Sequence, residues 1–282
     1  MPARIVFAKE EKENIVELYN RYRSMRRVAI EIGRDRYVIQ RVLKEMQVDI
    51  AGPAEHNKKP VVNDFFDSLS IEPSYFLGLF VADGWISRAK NSSTYFCIGL
   101  QHSDSYIIEK LRDKIAPKHK LIKDRHMTKL SIGDSALCLD VVKWGIEWRK
   151  KSYTLGECHS LFGGLDKSKT LNHFVRGFLD GDGNVGLYQV SNACFSFSTT
   201  IRFAHSLKEA INKELQIDAG SICIDNRSSN SDNPLVSLRY TGRNLVIRLG
   251  EWIYANKCDL FLSRKYESYL DVVKSRELLG TP

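Results

Sequence analysis

The sequence predicts an α+β protein: two pseudo-symmetric αββαββα halves forming a saddle, preceded by a small all-α module. Three observations predict it. A compact apolar run, Phe76-Leu-Gly-Leu-Phe-Val-Ala-Asp-Gly84, recurs as Val175-Arg-Gly-Phe-Leu-Asp-Gly-Asp-Gly183. Each copy is followed by the same order of strand-alternating and helix-periodic segments. The stretch before residue 49 carries helical periodicity only. The expected domains are an all-α module over 1–48, a linker over 49–63, a first half over 64–156 and a second over 157–282.

In the module, residues 11–22 read as a helix with Ile15, Leu18 and Tyr19 on one face, and 26–32 as a second, shorter one. Gly33 suits a positive φ in a tight turn. Asp35 can cap a third helix that ends near Met46, with Val38, Ile39 and Val42 inward. Ala29, Gly33 and Ile39 stand where a helix-turn-helix needs a small residue at the helix crossing, a turn glycine and an apolar lock on the last helix. The stretch from Met25 to Lys44 resembles that family. The resemblance implies DNA contacts from Arg34, Arg36, Tyr37, Gln40, Arg41 and Lys44, since Arg and Gln read base edges and Lys and Arg neutralise phosphates. A small helical bundle with a solvated basic face is the plainer reading of the same residues. The polar linker that follows contains Gly52, Pro53, Lys58, Lys59 and Pro60.

Each half then runs through the same elements. In the first, residues 94–101 alternate as a strand, with Phe96, Ile98 and Leu100 on one face and Tyr95, Cys97, Gly99 and Gln101 on the other. A helix over 104–116, short strands near 121–124 and 129–132, and a helix over 137–144 follow. In the second half the counterparts are a strand at 194–198, a helix over 200–215, strands at 222–224 and 235–240, and a helix over 245–253. A final helix covers 264–278. Two curved antiparallel sheets with helices on one side leave a concave polar face that suits duplex DNA.

Charge and cysteine usage agree with such a partner. Lys and Arg number 42 against 34 Asp and Glu, a net +8 that favours a polyanion. The six cysteines form no C-x-x-C pair, so a zinc ribbon is not expected and they read as reduced thiols. The first residues lack an apolar signal core and no run reaches transmembrane length. The expectation is a protein that is not secreted, has no membrane partner, and works in the cytoplasm or wherever its target resides.

The repeated run carries the chemistry. Gly78 and Ala82, and Gly177 and Gly181, lie four apart on one helical face and let two helices approach closely. The helix ends then bring Asp83 and Asp182 side by side. Helix C-termini are partly negative, so these carboxylates repel unless a divalent cation intervenes. Hard oxygen ligands with room for phosphate and water favour Mg²⁺, with Mn²⁺ as a possible substitute. Metals so placed activate water and stabilise the leaving oxygen in phosphodiester hydrolysis. An EF-hand reading of Asp180-Gly-Asp-Gly-Asn184 fails, because its sixth and twelfth positions are Val185 and Ser191.

Both runs resemble the LAGLIDADG motif, in the two-motif, single-chain form of the homing endonucleases, and the resemblance extends from Asn63 to Tyr269. It implies a Mg²⁺-dependent endonuclease for double-stranded DNA that recognises a long, asymmetric site, with one monomer carrying both motifs. The motif's metal-binding acid falls on Asp83 and Asp182. The acid two places earlier is Asp180 in the second copy but Val81 in the first, which leaves Asp83 and Asp182 as the shared pair. By the same resemblance Lys151, in Arg149-Lys-Lys-Ser152, and Lys265, in Ser263-Arg-Lys-Tyr266, are the auxiliary catalytic lysines. Gln101 and Arg202 are further candidates near the site. DNA contacts are expected from outward strand residues and hairpin tips: Arg88, Lys90, Lys123, Arg125, Arg227 and Arg239. Proteins resembling this scaffold also include DNA-binding transcription regulators and intron RNA maturases. The presence of both Asp83 and Asp182 favours cleavage, because a pure binder gains nothing from paired carboxylates beside a phosphate.

Overall fold

The structure, a computed structural model, describes residues 7–22, 24–48, 50, 59–88, 93–146, 155–189, 192–224 and 232–278. Lys90, Lys151, Arg227 and most of the linker lie outside the described residues. The chain divides into two units, Met1–Lys59 and Pro60–Pro282.

The first unit packs three helices, α1 (Lys9–Tyr22), α2 (Met25–Ile32) and α3 (Arg36–Glu45). Ser24 caps α2 by accepting from the Arg27 amide, and Asp35 caps α3 by accepting from the Tyr37 amide at 2.7 Å. Gly33 ends α2 at φ +65°, where any side chain is strained, and the Arg34 amide donates back to Ala29 at 2.9 Å. Ile15, Tyr19, Val28, Ala29, Ile39, Val42 and Leu43 form the core. Arg34, Arg36 and Lys44 are exposed and Gln40 and Arg41 half-buried, while Tyr37 is 73% exposed.

The second unit contains two four-stranded antiparallel sheets of the same topology. The first, in order β1-β2-β4-β3, is built from β1 (Gly84–Arg88), β2 (Thr94–Gln101), β3 (Ile122–Lys123) and β4 (Met127–Ile132). The second, in order β5-β6-β8-β7, is built from β5 (Gly183–Gln189), β6 (Asn192–Thr200), β7 (Ser221–Ile224) and β8 (Leu235–Thr241). The helices are α4 (Ile71–Asp83), α5 (Ser105–Ile115), α6 (Ser135–Val142), α7 (His159–Ser168), α8 (Leu171–Asp182), α9 (Ile201–Leu215), α10 (Arg243–Ile253) and α11 (Ser263–Leu278). Each half therefore runs αββαββα from α4 or α8, as the sequence pattern predicts. No helix among the described residues is long and apolar enough to cross a membrane.

Strand alternation sets the faces. Phe96, Ile98, Leu100, Leu130 and Ile132 are buried on the first sheet, and Phe195, Phe197, Leu238 and Tyr240 on the second. One core runs through both halves. Helix α7 is absent from the sequence reading, because Gly163 and Gly164 each cost about 1 kcal/mol in a helix. Packing overrides propensity there: a Cβ on Gly164 would meet the Trp144 ring at 2.6 Å.

Candidate active site at the paired helix ends

Helices α4 and α8 cross with their backbones in contact. A Cβ on Gly78 would sit 2.0 Å from the Phe174 carbonyl oxygen, and one on Gly177 would sit 1.9 Å from that of Tyr75. Each glycine thus faces the carbonyl three residues before the other glycine, the reciprocal geometry of a pseudo-twofold contact. At the N-terminal end, the Ser74 hydroxyl donates to Thr170 at 2.8 Å inside the core. At the C-terminal end, a Cβ on Gly181 would lie 2.2 Å from that of Ala82 and 2.8 Å from Asp83 Oδ2. The Asp83 carboxylate therefore lies over the residue before Asp182. Asp83 is half-buried and Asp182 exposed.

A helix leaves its last four carbonyls without intrahelical donors. At the end of α8 a buried lysine supplies them. Lys265, only 4% exposed, donates to the carbonyls of Leu179 and Asp180 at 2.6 Å, Gly183 at 2.7 Å and Gly181 at 3.1 Å. Its positive charge sits at the negative end of the helix dipole. Burial lowers its pKa to about 8, with nearby Arg264 pushing the same way. The charges of Asp180, Asp83 and Asp182 all oppose the fall, so one ammonium senses both motif acids. Its donors are taken up by backbone, so Lys265 holds the end of α8 in position. Lys265→Met should lower stability by about 3 kcal/mol. An unchanged denaturant midpoint would show that the ammonium does not hold the end of α8.

The second copy's extra acid is an internal fastener. Asp180 Oδ2 accepts from the Tyr75 hydroxyl of α4 at 2.8 Å and from the Leu262 amide at 3.0 Å. Burial pushes its carboxyl up to about 7, against the pull of the Tyr75 hydroxyl, Lys265, the Leu262 amide and Arg176. Arg176, fully buried, donates to the carbonyls of Leu260 at 2.7 Å and Ile253 at 2.9 Å and lies 3.0 Å from His173 Nδ1. Sequence reasoning missed this network, since an arginine in an apolar helix gives no sign of which carbonyls will surround it.

The segment before α11 is held by the first half. Asp104 Oδ2 accepts from Gln101 Nε2 at 2.9 Å and from Arg264 Nε at 3.0 Å. The Tyr106 hydroxyl donates to the Phe261 carbonyl at 3.0 Å and accepts from the Ser263 amide at 2.9 Å. Lys110 reaches the carbonyl of Asp259 at 2.6 Å and its carboxylate at 2.5 Å. The helix bearing Lys265 is therefore anchored across the pseudo-twofold.

Of the expected DNA-contacting residues, Arg239 is exposed on the face of the second sheet away from the core, with Nε donating to Ser237 at 3.1 Å. Arg125 is exposed in the β3–β4 turn and Arg202 is exposed in the first turn of α9. Arg88 and Lys123 are exposed at hairpin ends, where Arg88 pairs with Thr94 and Lys123 with Thr128, residues of the helix-covered rows. The period of two puts Ser87 and Ile122 on the outward face instead.

No protein-family model and no curated protein matches the chain. Solved structures do. The LAGLIDADG homing endonuclease I-GzeII in complex with its DNA target is 12% identical, over 74% of this chain and 91% of that one, at a TM-score of 0.51. The LAGLIDADG meganuclease I-AabMI bound to uncleaved DNA is 14% identical, over 73% and 91%, at 0.50. The meganuclease I-SmaMI bound to uncleaveable DNA is 14% identical, over 75% and 90%, at 0.50. With its two matched halves and crossed motif helices, the chain has the fold of the single-chain LAGLIDADG homing endonucleases.

Proposed function

We propose that the protein is a site-specific endonuclease that hydrolyses double-stranded DNA with divalent metal held by Asp83 and Asp182. The observation that carries the proposal is the meeting of these two acids at the ends of helices in backbone contact. The donor set fits Mg²⁺. Two carboxylates are hard oxygen ligands and leave the rest of a coordination sphere to water and phosphate oxygens. Mn²⁺, with the same ligand preference, is the expected substitute. The metal supplies an activated water and stabilises the departing oxygen. The chain's own residues hold position: the glycine crossing fixes the acids relative to each other, and Lys265 fixes the end of α8. Lys151, carried over by resemblance as an auxiliary lysine, belongs to the same proposal.

The net +8 charge and the DNA-bound meganucleases that share the fold support a duplex partner. A monomer suffices, because one chain supplies both acids. The protein would act in the cytoplasm or wherever the target DNA resides. Cleavage selection from a randomised duplex library tests the proposal. Double-strand products should accumulate with Mg²⁺ or Mn²⁺ and not with EDTA. A library that is bound but never cut would point to a DNA-binding regulator on the same fold.

The three-helix unit is proposed as a helix-turn-helix that adds a second grip on DNA through Arg34, Arg36, Tyr37, Gln40, Arg41 and Lys44. Deleting residues 1–48 should shorten the footprint and flatten the salt dependence of binding, with cleavage chemistry preserved. Equal footprints and equal salt slopes for the two proteins would exclude that role.

A further inference from the structure

The outward faces of the two sheets differ in their large apolar groups. On the first sheet, Trp85 lies opposite Cys97, Gln101 opposite Met127, and Ile122 opposite Lys129, in rows facing away from the core. Trp85 is 39% exposed and Ile122 52%, and Tyr95 and Met127 are half-buried on the same face. Lys129 is the one cation of this face among the described residues, and it is ion-paired with Asp124. On the second sheet the outward rows carry Asn184, Cys194, Ser196, Ser198, Leu235, Ser237, Arg239 and Thr241. Both faces offer hydroxyls and an amide, with Ser87, Gln101 and Ser131 on the first, but among the described residues the large exposed apolar groups Trp85 and Ile122 stand on the first face.

The apolar face begins at the active site, since Trp85 is two residues beyond Asp83. A β-ribbon fits the major groove, and the apolar group exposed on that groove's floor is the thymine C5 methyl. Hydroxyl, amide and guanidinium groups instead read base edges through hydrogen bonds. We infer that the first half of the protein contacts thymine methyl groups in its half-site through Trp85 and Ile122, whereas the second half reads its half-site by hydrogen bonding. This inference rests on the DNA-endonuclease reading and deepens it by naming the chemistry of one half of the target.

The test removes methyls one at a time. Duplexes bound by the full chain in metal-free buffer are selected from a randomised library, and thymine is then replaced by deoxyuridine at each position. In one half-site each contacted thymine should lose about fourfold in affinity, the worth of burying one methyl. In the other half the replacement should change affinity less than twofold. Trp85→Ser should abolish the deoxyuridine effect nearest the centre, and Ile122→Ser, at the far edge strand, an effect nearer the end of the same half. Arg239→Ala should alter base preference in the opposite half. Selection of two half-sites that lack thymine, or indifference to deoxyuridine throughout, would overturn the inference while leaving the DNA reading intact. A library that yields no bound duplex would overturn both.

Discussion

Asp83→Asn and Asp182→Asn will each reduce duplex cleavage by at least about 10³-fold, and each will leave duplex binding in place. Both acids terminate helices, where the backbone dipole is already negative, and the Asp83 carboxylate lies 2.8 Å from where a Cβ on Gly181 would sit. Each carboxylate also attracts the buried Lys265 ammonium, whose pKa both acids raise, so attraction and dipole repulsion oppose each other in metal-free buffer. Either substitution should cancel the upward shift in Tm that Mg²⁺ gives the unmodified protein. A folded, DNA-binding, inactive protein is thus the expected phenotype of both variants. Full cleavage by either single variant would sink the composite site.

The parts of this site that are legible in sequence are those set by local period. Small residues four apart mark the face of α4 and α8 that must be bare, and alternation marks the rows of β2 and β6. Asp83 and Asp182 stand out because only those acids occur in both copies. What is not legible depends on partners far along the chain. The lysine at 265 can be flagged by motif resemblance, but nothing local says that its ammonium will cap the carbonyls of Leu179, Asp180, Gly181 and Gly183. Asp180 is set aside because the first copy has Val81 in its place, and nothing local says that the fold will bury it against Tyr75. Arg88 and Lys123 show the limit of composition as a guide to contact. A basic residue near a strand end looks outward until the register is known, and a shift of one residue reverses its face.

The same Gly→Ala change should have opposite signs at different places in this fold. Gly177→Ala and Gly78→Ala should each destabilise by about 3 kcal/mol or more, at the upper end of the cost of overpacking a core. The obstacle is backbone: carbonyl oxygens 1.9 and 2.0 Å from the added carbon, with amide nitrogens at 2.9 Å. No rotamer change relieves such a clash, so the helices must separate and take both motif acids with them. Gly181→Ala meets the Ala82 methyl at 2.2 Å and Asp83 Oδ2 at 2.8 Å, so it should cost less stability than Gly177→Ala but most of the cleavage activity. Gly163→Ala, within α7, meets nothing within 4 Å and should stabilise by up to about 1 kcal/mol through helix propensity alone. Denaturant midpoints for the four variants separate the contributions, because propensity favours alanine at every one of these helical sites and only contact opposes it. If Gly177→Ala were as stable as Gly163→Ala, the motif helices would not be in backbone contact, and the acids at their ends would have no fixed distance from which to share a metal.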